Sequence, residues 1–162
     1  MGTVEQRLAE LGVVLPPPAQ APPGFTFSFE WARRSGNRVF LSGHGALEPD
    51  GRPAGPFGRV PSEVPLADAQ AAARGAAIAM LGSLRAAVGE LDLVTAWPMV
   101  WGMVNADPGY SETTNVVNGF SEFIKAVFGA EIGSHARMAI GVSALPLNYC
   151  VLVGAEVEVL PR

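Results

Sequence analysis

EIGSHARMAIGVSALPLNYC, from Glu131 to Cys150, sets His135 and Arg137 just ahead of a run that alternates and is mostly apolar. Alternation with a period of two marks a strand with one face turned to a core. Upstream of it Val116, Phe120, Phe123, Ile124, Val127 and Phe128 recur at helical spacing, until Gly129 closes the helix. The stretch therefore reads as the junction between a core helix and two closing strands, from about 137 to 145 and from about 150 to 159. An arginine at the mouth of the first of these strands asks for a reason, because only 16% of the residues are charged.

Working back from this junction, Asp107-Pro108-Gly109 turns the chain, and LVTAWPMVWGMVNA before it reads as a strand. From about Pro65 to Leu91 the chain is dominated by alanine, with Ala73, Ala77, Met80, Leu84 and Val88 on one stripe of a helix. Gly75 and Gly82 lie two turns apart on one side, where they would let that helix approach a sheet closely. EPDGRPAGPFG is a loop or loose hairpin. In GFTFSFEWARRSGNRVFLSGHG, Phe25, Phe27, Phe29 and Trp31 alternate with Thr26, Ser28 and Glu30, which predicts a strand with one buried face. Gly36-Asn37 then supplies a tight turn into RVFLSG. The order is β-β-α-β-α-β-β. Ahead of it, residues 3–11 form a short helix and LPPPAQAPPG a proline-rich connector, so 1–24 is an arm and 25–162 the domain.

At 162 residues the chain fits one domain. The hydrophobic share of 49% and the mean hydropathy of +0.26 predict that some apolar surface meets other subunits. A net charge of −4 gives no field to attract nucleic acid or an anionic membrane. No apolar stretch reaches about 18 residues without a charge, so no membrane span is expected. The start lacks the basic and apolar regions of a signal peptide, and the single cysteine, Cys150, fits a reducing compartment. These features predict a cytoplasmic protein.

The segments RSGNRVFLSGHG, VVNGFSEFI, HARMAIGVSALP and the closing AEVEV, in this order, resemble the RidA family, also called YjgF/YER057c/UK114. The likeness runs from Phe25 to Val159 and is closest to the branch that begins with a helix and LPPP and carries HAR before the penultimate strand. It implies an α+β, chorismate-mutase-like fold, with a sheet that packs two helices on one face. It also implies a homotrimer with ligand clefts between subunits, and the hydrolysis of small carboxylate-bearing enamines and imines to keto acids and ammonia, without metal or organic cofactor.

By the same resemblance, Arg137 matches the arginine that holds the substrate carboxylate. Guanidinium suits that task because its planar fork of donors meets a carboxylate at two points and stays charged at any working pH. The alternative is an arginine paired with a surface acid such as Glu131. Ser42 and Gly43 match a strand-end pair that offers a hydroxyl and backbone groups to substrate. Phe29 replaces an aromatic, commonly tyrosine, that walls the cleft. Asn118 matches a helix asparagine near the cleft, or is an ordinary solvated residue. The final-strand glutamate of the family's deaminases falls on Leu152, and the next position on that face is Gly154. Glu156 and Glu158 share this parity but lie further along, where rim charges are ordinary.

His44 stands where relatives often have glutamine. It could act as an acid or base near neutral pH, or be a structural histidine bonded to backbone. The loss of the glutamate at Leu152 leaves two alternatives beside the deaminase: a non-catalytic carboxylate-binding protein, and a diverged enzyme for a bulkier substrate. His44, His135 and Cys150 lack the spacing of a zinc motif, and Cys150 reads as a small buried hydrophobe. SGHG and GAAIAMLG are not phosphate loops, since neither carries the lysine. The Phe25 to Trp31 stripe could imitate a base-stacking platform, but at this acidity a core is the better reading.

Overall fold

The computed structural model describes residues 2–162. Its elements are α1 (Thr3–Glu10), β1 (Ala32–Ser35), β2 (Arg38–His44), α2 (Leu66–Val88), β3 (Val94–Asn105), α3 (Thr113–Ile132), β4 (Ala136–Val142) and β5 (Val151–Val159). The five strands form one sheet in the order β1-β2-β5-β3-β4, antiparallel except for the β3/β4 pair. This is the expected α+β architecture, with α2 and α3 on one face of the sheet.

Local chemistry accounts for the boundaries. Gly36, at φ 60, opens the two-residue turn that pairs Ser35 with Arg38. Gly129, at φ 84 and ψ 164, ends the regular part of α3 where the sequence placed its stop. Pro98 cannot donate to the ladder, and the β3/β5 register shifts between Ala96 and Met99 to absorb it.

The core lies between sheet and helices. Trp97, Val100, Val104, Val153, Ala155 and Val157 face Met80, Leu84, Phe120 and Ile124, all nearly without exposure. α2 is long and apolar enough by composition to cross a bilayer, but its larger apolar residues, Met80, Leu81 and Leu84 among them, are packed inside the domain. The arm joins this body along its length: Val4, Leu8 and Leu15 enter the core, the Asp92 carboxylate accepts from the Val4 N–H, Arg7 Nη1 donates to the Val127 carbonyl at 3.0 Å, and the Gln20 N–H donates to the Gly51 carbonyl at 2.9 Å.

Two expectations need correction. Gly75 and Gly82 do not face the sheet. A Cβ at Gly75 would meet Cβ of Ala46 at 2.8 Å, and one at Gly82 would meet the Pro16 carbonyl at 2.4 Å, so these glycines admit a loop and the proline arm.

Residues 25–31 are not a strand, and Phe25 and Phe29 are half exposed. The cause lies in β2. Leu41 pairs with Ala155 and His44 with Val153, so Ser42 and Gly43 together oppose Gly154 in a bulge. The ladder with the preceding segment closes at the Ser42 N–H to Trp31 carbonyl bond, and the next carbonyl, of Glu30, is taken by Ser42 Oγ at 2.7 Å. The aromatic residues instead gather around Trp31, whose ring centroid lies 5.0 Å from Phe27 and 4.8 Å from Phe29.

The far face of the sheet carries a separate apolar set. Phe40, Trp101, Met138 and Ile140 are each about 40–50% exposed there, beside the Arg38–Glu156 ion pair.

Candidate functional site: two half-sites on one sheet

The structure divides the expected site residues into two groups. Arg137 on β4 lies in one row with Val100, Ala155 and Leu41 across the sheet. Three strand spacings, roughly 14 Å, thus separate Arg137 from the β2 bulge.

The first group surrounds Arg137 in a surface pocket of about 340 Å³, which Asn118, Glu122, Lys125 and His135 also line. Arg137 Nη1 donates to Ser121 Oγ at 2.8 Å and Nη2 to the Thr114 carbonyl at 3.2 Å. His135 Nδ1 lies 2.7 Å from the Gly133 carbonyl, which can only accept, so this nitrogen carries the proton. Nε2 then accepts from Ser121 Oγ at 2.8 Å. A directed chain results, from Arg137 through Ser121 and His135 to Gly133. Burial lowers the His135 pKa, and the nearby charges of Arg137 and Lys125 lower it further, which keeps the ring neutral. Burial also lowers the Arg137 pKa from its ordinary value, and no carboxylate forms an ion pair with this guanidinium among the described residues. The pairing with Glu131 does not form. A partly desolvated cation whose orientation is fixed by two hydrogen bonds, facing a pocket, suits a carboxylate or another small anion.

The second group lies at the other end of the row. Phe29, Gly43, His44 and Leu152 share a cavity of about 270 Å³ under the Phe25–Trp31 segment. A wider depression of about 840 Å³ adjoins it, sharing Phe25, Pro53 and Leu147. Ser42 sits at this end too, but its hydroxyl is engaged by Glu30. Leu152 is 8% exposed. Glu156, on the same face, pairs with Arg38 and is a sheet-face charge.

His44 departs from the expectation of a proton relay. Its side chain is 2% exposed; Nδ1 donates to the Ser42 carbonyl at 2.6 Å, and Nε2 accepts from Ser83 Oγ of α2 at 2.8 Å. Burial pulls its pKa down to about 4, against the opposing effect of the Ser42 bond. A neutral ring with both nitrogens occupied has nothing to trade at neutral pH, and it serves to hold the bulge in place.

Sequence reasoning missed Ser83 and Ser121. Ser121 follows Asn118 by three residues and so shares its helical face, which was the available signal. Among the described residues no three His, Cys, Asp or Glu side chains converge as a metal site. Cys150 is buried, and its thiol is pushed up to about 11.

Fold and pockets together define a single-domain α+β protein of the chorismate-mutase-like type, carrying a cationic pocket around Arg137 and an apolar cavity beside the β2 bulge. No family model matches the chain. It is 36% identical over 157 residues to Protein TCP17 of Trypanosoma cruzi, covering 97% of this chain and 94% of that protein. Among solved structures it is similar to Atu1372 of Agrobacterium tumefaciens, a protein of unknown function, with 34% identity, a TM-score of 0.84 and coverage of 97% and 92% of the two chains. A candidate endoribonuclease from Shewanella oneidensis superposes with a TM-score of 0.86 at 26% identity, covering 98% of this chain and all of that one. RidA of an Antarctic Psychrobacter shares the fold, at 20% identity and a TM-score of 0.55 over 87% of this chain and 94% of that one. The chain belongs to the RidA (YjgF/YER057c/UK114) family.

Proposed function

We propose that the protein hydrolyses carboxylate-bearing imines, and enamines after their tautomerisation to imines, in clefts where the Arg137 half-site of one protomer meets the Phe29 half-site of another. The observation that carries this reading is the Arg137 guanidinium, fixed by Ser121 and Thr114 and without an acidic partner. The exposed Phe40, Trp101, Met138 and Ile140 supply the apolar face for a homotrimer, because monomers rarely leave so contiguous an apolar set uncovered.

In the reaction, water adds across C=N: its oxygen bonds to carbon, and nitrogen takes a proton. The carbinolamine then expels ammonia, and its hydroxyl becomes the carbonyl of the keto acid. Arg137 binds and orients the carboxylate, Asn118 lies beside it, and the walls of the apolar half-site limit competing water. Such a chain supplies positioning and desolvation, since Leu152 stands where the family's deaminases carry a glutamate.

The test follows keto-acid release from an imine formed in place by an amino-acid oxidase. Wild-type protein should accelerate release, and Arg137→Ala should lower kcat/KM roughly 100-fold, near the upper end of a charge-assisted contact. Equal rates with and without wild-type protein would end the hydrolytic reading. Binding without turnover is the second reading, favoured by Leu152 and by the locked His44. It predicts that pyruvate binds and that Arg137→Ala abolishes this binding, with no acceleration of hydrolysis.

A further inference from the structure

The apolar half-site is larger and drier than a small acid needs. Its cavity of about 270 Å³ is nearly twice the roughly 150 Å³ that accepts a benzene ring. Phe27, Phe29, Trp31, Leu47, Pro146 and Leu152 supply most of the wall, and no charged side chain lines it. Three of the polar side chains nearby are already engaged: Tyr149 Oη donates to the Ala46 carbonyl at 2.8 Å, Ser42 Oγ to Glu30, and both His44 nitrogens are bonded, which leaves the Thr26 hydroxyl as a polar group in the wall. With no charged side chain in its wall, this half-site has nothing to pair with a charged substituent.

The floor of the cavity is also held against local strain. Leu147 and Asn148 are the two non-glycine residues with positive φ among the described residues, at 58° and 60°. A leucine in the left-handed region persists only where its surroundings enforce it. Here the Gly58 N–H donates to the Asn148 carbonyl at 2.9 Å, and Asn105 Nδ2 donates to the Tyr149 carbonyl at 3.3 Å, which pins the turn on both sides. The consequence is that Leu147 lines the cavity.

We infer that this cavity takes the side chain of the substrate, and that the preferred substrate is a 2-imino or 2-enamino acid with a bulky apolar group of six to about ten carbons, an aromatic ring above all. This rests on the proposed function, in which the carboxylate is held by Arg137 of a neighbouring protomer. Hydrolysis of such an imine forms the new C=O bond from water and releases ammonia as before, and the apolar group takes no part in the bond changes. A reaction that removes two electrons and two protons from the α-amine of a large apolar amino acid, or that eliminates water from its β-hydroxy analogue, must supply this substrate.

Calorimetric titration of the intact protein with phenylpyruvate, pyruvate and 3-phenylpropan-1-ol separates this inference from the reading beneath it. Phenylpyruvate should bind at least about 30-fold more tightly than pyruvate, as burial of a phenyl group predicts. Leu47→Trp, which fills the cavity, should bring that ratio towards one, and folding of the variant is checked by its circular dichroism and trimer mass. If the two keto acids bind equally, and both bindings are lost in Arg137→Ala, the side-chain inference is overturned and the carboxylate site stands. If only the alcohol binds, and Leu47→Trp abolishes its binding, the apolar cavity is supported and the carboxylate reading falls. If none of the three binds, both are overturned.

Discussion

The two histidines of this chain are built into the same local arrangement, and the arrangement does different work at each. In both, Nδ1 donates to the carbonyl two residues earlier, Ser42 for His44 and Gly133 for His135, and Nε2 accepts from a serine hydroxyl on the packed helix, Ser83 of α2 or Ser121 of α3. At His44 the chain of bonds stops at Ser83, which is 3% exposed, so its product is a rigid bulge. At His135 the ring is half-buried, and Ser121 accepts one bond more, from Arg137. The same motif braces backbone inside the core and aims a cation at its margin. What decides between the two is the group on the other side of the serine.

The largest expected effect that separates them is on stability against pH. The His44 pKa of about 4 in the folded state lies below the ordinary 6.5, so between these values the unfolded chain binds more protons. The stabilisation from keeping His44 neutral is complete above about pH 6.5 and is lost as pH falls towards 4, at most roughly 3 kcal/mol for this shift. Denaturant unfolding of the wild type across this range should fall more steeply than that of His44→Gln, which cannot titrate. Identical slopes would mean that the ring is not held neutral in the core. His135 contributes with the same sign, and less, because it is only half-buried.

A smaller effect should appear at the other serine. Ser121→Ala removes the hydroxyl that accepts from Arg137 and donates to His135, so the guanidinium loses one of its two fixed bonds. We expect KM for an imine to rise about tenfold, the value of one hydrogen bond to a charged group, with kcat changed less and the melting temperature nearly kept. A drop in kcat at constant KM would instead place Ser121 in the chemical step.

Much of the architecture was readable because it rests on periodicity. The stripes from Ala73 to Leu84 and from Val116 to Phe128 are buried as their spacing predicts, and the turns at Gly36-Asn37 and Asp107-Pro108-Gly109 fall where turn residues stand. The aromatic alternation from Phe25 to Trp31 misled, because a period of two reports side-chain direction and says nothing of whether a partner strand continues. Here the bulge at Ser42-Gly43 ends the pairing. Arg137 and Asn118, legible as candidate site residues, line one pocket, and Phe29, Gly43 and Leu152 line another. That these are two groups across the sheet was not legible, since strand order in space is not written in local sequence. His44 was legible as a residue with a purpose, but its role depended on Ser83, 39 residues away in the chain.

The claim that the two half-sites complete one another across a subunit boundary is tested most directly by mixing defective subunits. Arg137→Ala removes the cation. Gly43→Trp blocks the apolar half-site, where a new side chain first meets Leu152, at 4.0 Å. Each variant alone should keep no more than about a hundredth of the wild-type rate on the imine. Co-expressed in equal amounts, they should recover about a quarter of the wild-type rate, because random assembly of a ring brings two intact halves together at that fraction of its interfaces. Mixed assemblies of the right mass that show no recovery would contradict the account.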